Sequence, residues 1–192
     1  MQQMPPPRFP RIAPEDYSEE QKKTAAAIVS GPRGEVRGPF ITLLRSPGLA
    51  HVVQQVGEYL RFKCPLDRRL AEMATLMAAR HWTQQYEWQS HHTHAMKAGL
   101  SPAIADAIAE GRRPAGIMAK DEETLYDLLT EGLQNKCVCD ATYARARAEF
   151  GEQGVVELLA VAGYYAMLAL VLNVTRPALP PGKEPMLPWF PY

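Results

Sequence analysis

Four of the five histidines of this 192-residue chain fall between Leu66 and Leu100, together with two of its three tryptophans and the acids Glu72 and Glu87. A carboxylate held against an imidazole selects the ring tautomer and raises its basicity, which makes a histidine a general acid or base. Glu87 and His91 stand one helical turn apart and can meet locally. Glu72 reaches them if two helices pack antiparallel. The same residues also read as a surface ion pair beside a lone helix acid. A third reading is a metal site, because Glu87, His91 and His94 put three ligand-type side chains on one helix face at spacings of four and three.

Two helices are needed to position these groups. Leu66, Leu70, Met73 and Met77 follow one helical stripe, with Glu72 at its margin. Ala71, Ala74, Ala78 and Ala79 favour helix and let a neighbour approach closely. A second helix is predicted from near Thr83 to Gly99, where glycine is the usual residue past a helix end. Trp88, His92 and Ala95 share its adjacent face. A short connection near Trp82 predicts antiparallel packing.

The composition narrows the function classes. Net charge is zero, so no strong field attracts nucleic acid or an anionic membrane, and neither is an expected partner. The length suits one domain over residues 14–175, between a proline-rich N-terminal arm (1–13) and a proline-rich C-terminal tail (176–192). Cys64, Cys137 and Cys139 do not form a disulfide framework, and Cys137-Val-Cys139 is too closely spaced for a CxxC motif. The first residues lack the pattern of a secretory signal, so a cytoplasmic location is expected. Val155–Val174 approaches the length of a membrane span but carries Glu157 and Asn173, and reads as a core or subunit-interface helix.

Further helices are expected along the rest of the chain. Ser18-Glu19-Glu20-Gln21 is a capping box. Gly31–Gly38 is a loop without phosphate-binding spacing. A short helix over Pro39–Leu44 precedes one from about Pro47 to Phe62, whose apolar side is Val52, Val56, Tyr59 and Leu60. Ser101-Pro102 starts a helix that ends at Gly111. Asp121 and Asp140 each cap another, the first lined by Leu125, Leu128, Leu129 and Leu133. The long apolar helix begins near Gly154. Trp189, Phe190 and Tyr192 are expected to pack against the domain or a neighbouring subunit. No alternating strand pattern occurs, and the predicted fold is all-α.

The combination Glu72-x7-Arg80, Tyr86-Glu87-Trp88-x2-His91 and Ala98-Gly99-Leu100-Ser101 resembles the carboxymuconolactone decarboxylase family, which has an AhpD-like helical fold. Gly163-Tyr164-Tyr165, through Leu172-Asn173 to Leu179-Pro180, is similar to the C-terminal part of the family's longer members, and the resemblance runs from about Arg11 to Pro181. In the family's peroxidase type, a CxxC pair lies between a helix glutamate and a histidine. Glu72 and His91 match that Glu and His, but Gln84 and Glu87 hold the cysteine positions, so a CxxC peroxidase is not expected. The decarboxylase type uses no cofactor. The resemblance then implies proton transfer by His91, with Glu72 orienting it and Glu87 holding the ring or relaying the proton. Arg80 either binds a substrate carboxylate or pairs with Glu72 or Glu87. Tyr86 and Trp88 either wall the pocket or pack the core. His92 and His94 lie outside the motif.

The function implied is a cofactor-independent lyase or isomerase acting on a small carboxylated or lactone-like substrate, as in aromatic compound catabolism. A homo-oligomer (dimer, trimer or hexamer) is the implied assembly. The alternatives are a metal-binding protein or metal-dependent hydrolase using Glu87, His91 and His94, and a non-catalytic relative.

Overall fold

The structure, a computed structural model, describes residues 6–179, 182 and 184–187. These residues are helices and connections, with no strand among them. The aromatic tail residues Trp189, Phe190 and Tyr192 lie outside the described residues. Two compact units are present. One contains residues up to Cys64 and the stretch from Leu170 to Pro181. The other contains Pro65–Ala169 and the tail from Gly182.

In the first unit, α1 (Glu19–Ser30) opens with the expected capping box: the Gln21 N–H donates to Ser18 Oγ, and the Ser18 N–H donates to Gln21 Oε1. Helices α2 (Pro39–Leu43) and α1 both pack on α3 (Pro47–Glu58), which continues into a π-helical turn over Tyr59–Lys63. The expected inner side of α3 is corrected here. Ala50, Val53, Gln54 and Gly57 are buried, with Leu60 in the following turn, whereas Val52, Val56 and Tyr59 are exposed. Their neighbours Leu49 and Phe62 are exposed too, so α3 has a second apolar edge beside its buried one.

The second unit is built around α4 (Arg68–His81), which packs against α5 (Gln85–Lys97), α6 (Pro102–Ala109) and α7 (Lys120–Asn135). Asp67 caps α4, accepting from the Arg69 and Leu70 N–H groups. The expected single stripe understates the helix: every residue from Leu70 to Arg80 is buried, as in a central helix enclosed by neighbours. Its alanines allow that close enclosure. Arg69 reaches Asp121 and Glu122 on α7 and ties the two helices together. Asp121 is not the cap of α7, because the helix begins at Lys120 and Asp121 already lies in its first turn. Glu122 caps it instead, reaching back to the Ala119 N–H at 2.7 Å.

Three residues join α4 to α5. The Thr83 N–H donates to the Arg80 carbonyl and the Gln84 N–H to the Ala79 carbonyl, closing α4 in a left-handed turn at Thr83 (φ 49°). Glycine ordinarily holds such a position, and for a β-branched residue it is strained. At its other end α5 closes as expected, with Gly99 at φ 91° and the Leu100 N–H returning to the Ala95 carbonyl.

The expected pair of helices after Asp140 is present within α8 (Asp140–Thr175), the two meeting at a kink where Gly151 leaves helical geometry (φ 68°, ψ 173°). It is long and apolar enough to cross a membrane, yet 56% of its most apolar window is buried within the protein. Val156, Leu159 and Met167 remain exposed on it.

Candidate functional site

Helices α4 and α5 bring Glu72 and His91 together. His91 Nδ1 and Glu72 Oε2 are 2.6 Å apart, and the two residues are 6% and 1% exposed. The short connection at Thr83 makes this possible, because an antiparallel return places a residue in the first half of α4 opposite one midway along α5. With an ionised Glu72, the Nδ1–H donates to the carboxylate. Burial pushes the Glu72 carboxyl up, but the His91 hydrogen bond and the charges of His91, Arg68 and His94 outweigh it, leaving the group below the ordinary carboxylate range. Glu72 is thus held as the anion that orients the ring.

Glu87 has the opposite environment. It lies one turn before His91 on α5 and is 2% exposed. Neither of its carboxyl oxygens takes a hydrogen bond among the described residues. A buried polar group left unsatisfied costs about 1–3 kcal/mol, and an ionised one costs more. Desolvation accordingly pushes the Glu87 carboxyl well above its ordinary range, so it keeps its proton. Glu72 meets the imidazole, as its expected orienting role requires, whereas of the two roles expected for Glu87 that of holding the ring is corrected, since neither of its oxygens bonds to His91.

Two residues that sequence reasoning missed touch the pair. Arg68 pairs with Glu72 Oε1 through Nη2. Its i,i+4 spacing from Glu72 was a usable signal. The Tyr165 ring of α8 stands edge-on to His91, with centroids 4.6 Å apart. No local pattern could have found it, since 74 residues separate the two. His94 also joins the cluster, its ring 5.7 Å from that of His91.

The remaining expected residues lie elsewhere. Arg80 is buried, and burial lowers its pKa. It stands about 12 Å along α4 from Glu72, with Nη2 3.8 Å from the point where a Cβ on Gly111 would lie. The structure does not bring it to the Glu72–His91 pair. Trp88 is 1% exposed, a core residue rather than a wall open to a ligand, and its ring neighbours His92. Tyr86 is half-buried. Glu87, His91 and His94 do not form a metal site: among the described residues no group of three His, Cys, Asp or Glu side chains is placed to hold an ion. Cys137 and Cys139 are exposed in the turn before α8, where Glu131 accepts from the Cys139 N–H.

The tail covers part of α5. Gln85 Oε1 accepts from the Met186 and Leu187 N–H groups, and Gln85 Nε2 donates to the Leu187 carbonyl. Leu187 is 3% exposed.

No protein-family model and no curated protein matches the chain. Solved structures do. The alkylhydroperoxidase AhpD core of an uncharacterized peroxidase-related protein from Ralstonia eutropha JMP134 superposes with a TM-score of 0.73 at 16% identity, covering 91% of this chain and 93% of its own. The fold is AhpD-like. A protein of unknown function from Agrobacterium tumefaciens, provisionally named for antioxidant defence as AhpD, matches with a TM-score of 0.65 at 16% identity, over 72% of this chain and 95% of its own. The likeness reaches the AhpD-like fold and not the carboxymuconolactone decarboxylase subgroup. Within that fold, this chain carries Gln84 and Glu87 on the α5 turn that leads to His91, with no thiol at either position.

Proposed function

We propose that this AhpD-like chain is a cofactor-independent lyase or isomerase, carboxymuconolactone decarboxylase-like, that moves a proton on a small carboxylated or lactone-like substrate. The observation that carries the reading is the buried 2.6 Å hydrogen bond between His91 and Glu72. An anionic Glu72 engages Nδ1 and orients the imidazole, and we assign to Nε2 the role of base and then of acid. The absence of thiols at positions 84 and 87 takes away the dithiol chemistry that a CxxC peroxidase requires.

In a decarboxylation, the bond to the departing CO2 breaks, its electron pair enters a dienolate, and protonated His91 delivers a proton to carbon. Arg68, already in contact with Glu72, is the cation we assign to a substrate carboxylate, in place of Arg80. The exposed apolar edge of α3 and the exposed apolar residues of α8 fit a homo-oligomer.

The test is turnover of 4-carboxymuconolactone, followed by ultraviolet absorbance with a chelator present. Turnover that survives chelator and is lost in His91→Ala supports the reading. Turnover that persists in His91→Ala removes His91 from the chemistry, and no turnover by the wild type removes this substrate.

A further inference from the structure

Glu87, the second acid of the α4–α5 pair, has no role in the proton transfer described above, and neither of its carboxyl oxygens takes a hydrogen bond among the described residues. We propose that Glu87 donates its own O–H to an oxyanion, so that the site takes enolisable carbonyl compounds and binds phenolates as stable mimics of their enolates. The inference rests on the proton-transfer reading of His91 and adds the group that receives the negative charge.

The geometry supports this in three ways. Glu87 is 2% exposed, and both its oxygens lack a hydrogen-bond partner among the described residues. It is therefore a buried polar group with hydrogen-bonding capacity that the described residues do not use. Glu87 and His91 share one face of α5, a turn or about 6 Å apart along the axis. That separation suits a carbonyl oxygen bonded to one group while the carbon that exchanges a proton meets the other. Finally, the two acids of this helix pair have opposite surroundings. Glu72 contacts Arg68 and His91, whereas among the described residues Glu87 makes no hydrogen bond to a cation that would hold it ionised. Two carboxyls pushed apart in this way take different roles, one as the anion and one as the proton-bearing acid.

In the balanced step, His91 Nε2 removes a proton from the carbon beside the carbonyl. The C–H pair forms the C=C bond, the C=O π pair moves to oxygen, and the new oxyanion accepts the Glu87 O–H. Return of the proton from His91 to the same or a conjugated carbon completes an isomerisation, and no other reactant is consumed. An ionised Glu87 would oppose the charge forming on the substrate. A neutral acid in a water-poor site stabilises it.

The experiment uses the full chain and 4-nitrophenol. The infrared spectrum of the wild type at neutral pH should carry the C=O stretch of a protonated carboxylic acid, and this measurement needs no variant to fold. In Glu87→Gln that band should vanish. Titration with 4-nitrophenol should give a saturable change in visible absorbance. Affinity should fall about tenfold or more in Glu87→Leu and stay within about threefold in Glu87→Gln, whose amide still donates. No protonated-acid band, no binding by the wild type, or equal loss in Gln and Leu overturns the proposal. Solvent-deuterium exchange into bound carbonyl ligands separates it from the reading beneath. Exchange that is unaffected in His91→Ala while Glu87-dependent phenol binding persists overturns the base assignment and leaves the donor standing.

Discussion

Glu87→Gln should make the protein more stable, and the gain should grow as the pH rises. The substitution keeps the size and the donor of the side chain while removing its ionisation. In the unfolded chain Glu87 loses its proton near its ordinary value of 4.5, whereas burial in the fold holds the proton to a much higher pH. Between those two values the folded state binds more protons than the unfolded state, so rising pH drains stability from the wild type. One fully differential proton corresponds to about 1.4 kcal/mol per pH unit. The stability difference between Glu87→Gln and wild type should therefore widen by about that amount per unit from roughly pH 5 upward, until Glu87 itself titrates in the fold. Glu72, whose depressed value works in the opposite direction as pH falls, is present in both chains and cancels to first order. Urea denaturation at stepped pH, followed by tryptophan fluorescence and far-ultraviolet circular dichroism with equal slopes checked, measures the difference. Parallel stability curves for the two proteins would refute the neutral, desolvated Glu87.

Two further outcomes follow from local structure. Gly151→Ala should lower stability by about 1–3 kcal/mol in the same urea assay. Its backbone stands at φ 68° and ψ 173°, and an added Cβ would meet no atom within 4 Å, so the loss is conformational; an unchanged midpoint would show that α8 tolerates another path there. Gln85→Ala removes the three hydrogen bonds that hold Met186 and Leu187, and amide exchange at those two residues should speed up about tenfold or more. Unchanged protection would mean that burial of Leu187 alone retains the tail.

Much of the helix inventory was legible because its signals are local. The Ser18 capping box, Pro102 in the first turn of α6, and Gly99 and Gly111 beyond helix ends act on hydrogen bonds a few residues away. Signals that compete within a few residues were less legible. Asp121 looked like a cap, but α7 starts one residue earlier, at Lys120, and Glu122 does the capping. On α3 both edges are apolar, so periodicity alone could not choose which one is buried. Gly151 was legible in part: the composition changes near it, and the two helices meet there at a kink that only glycine adopts readily.

The candidate site divides along the same line. The sequence by itself determined that the chain folds as helices, that Glu72 and His91 stand at a spacing an antiparallel pair can close, and that no thiol occupies positions 84 and 87. Those properties depend on residue types and on separations along one or two helices. The tertiary structure alone decided which acid meets His91, because Glu72 and Glu87 both had the reach and only the packing of α4 on α5 distinguishes them. It also set Tyr165 against the imidazole and Arg80 away from it. The protonation of Glu87 belongs to the same class, since it follows from exclusion of water and of hydrogen-bond partners by the folded helices around it.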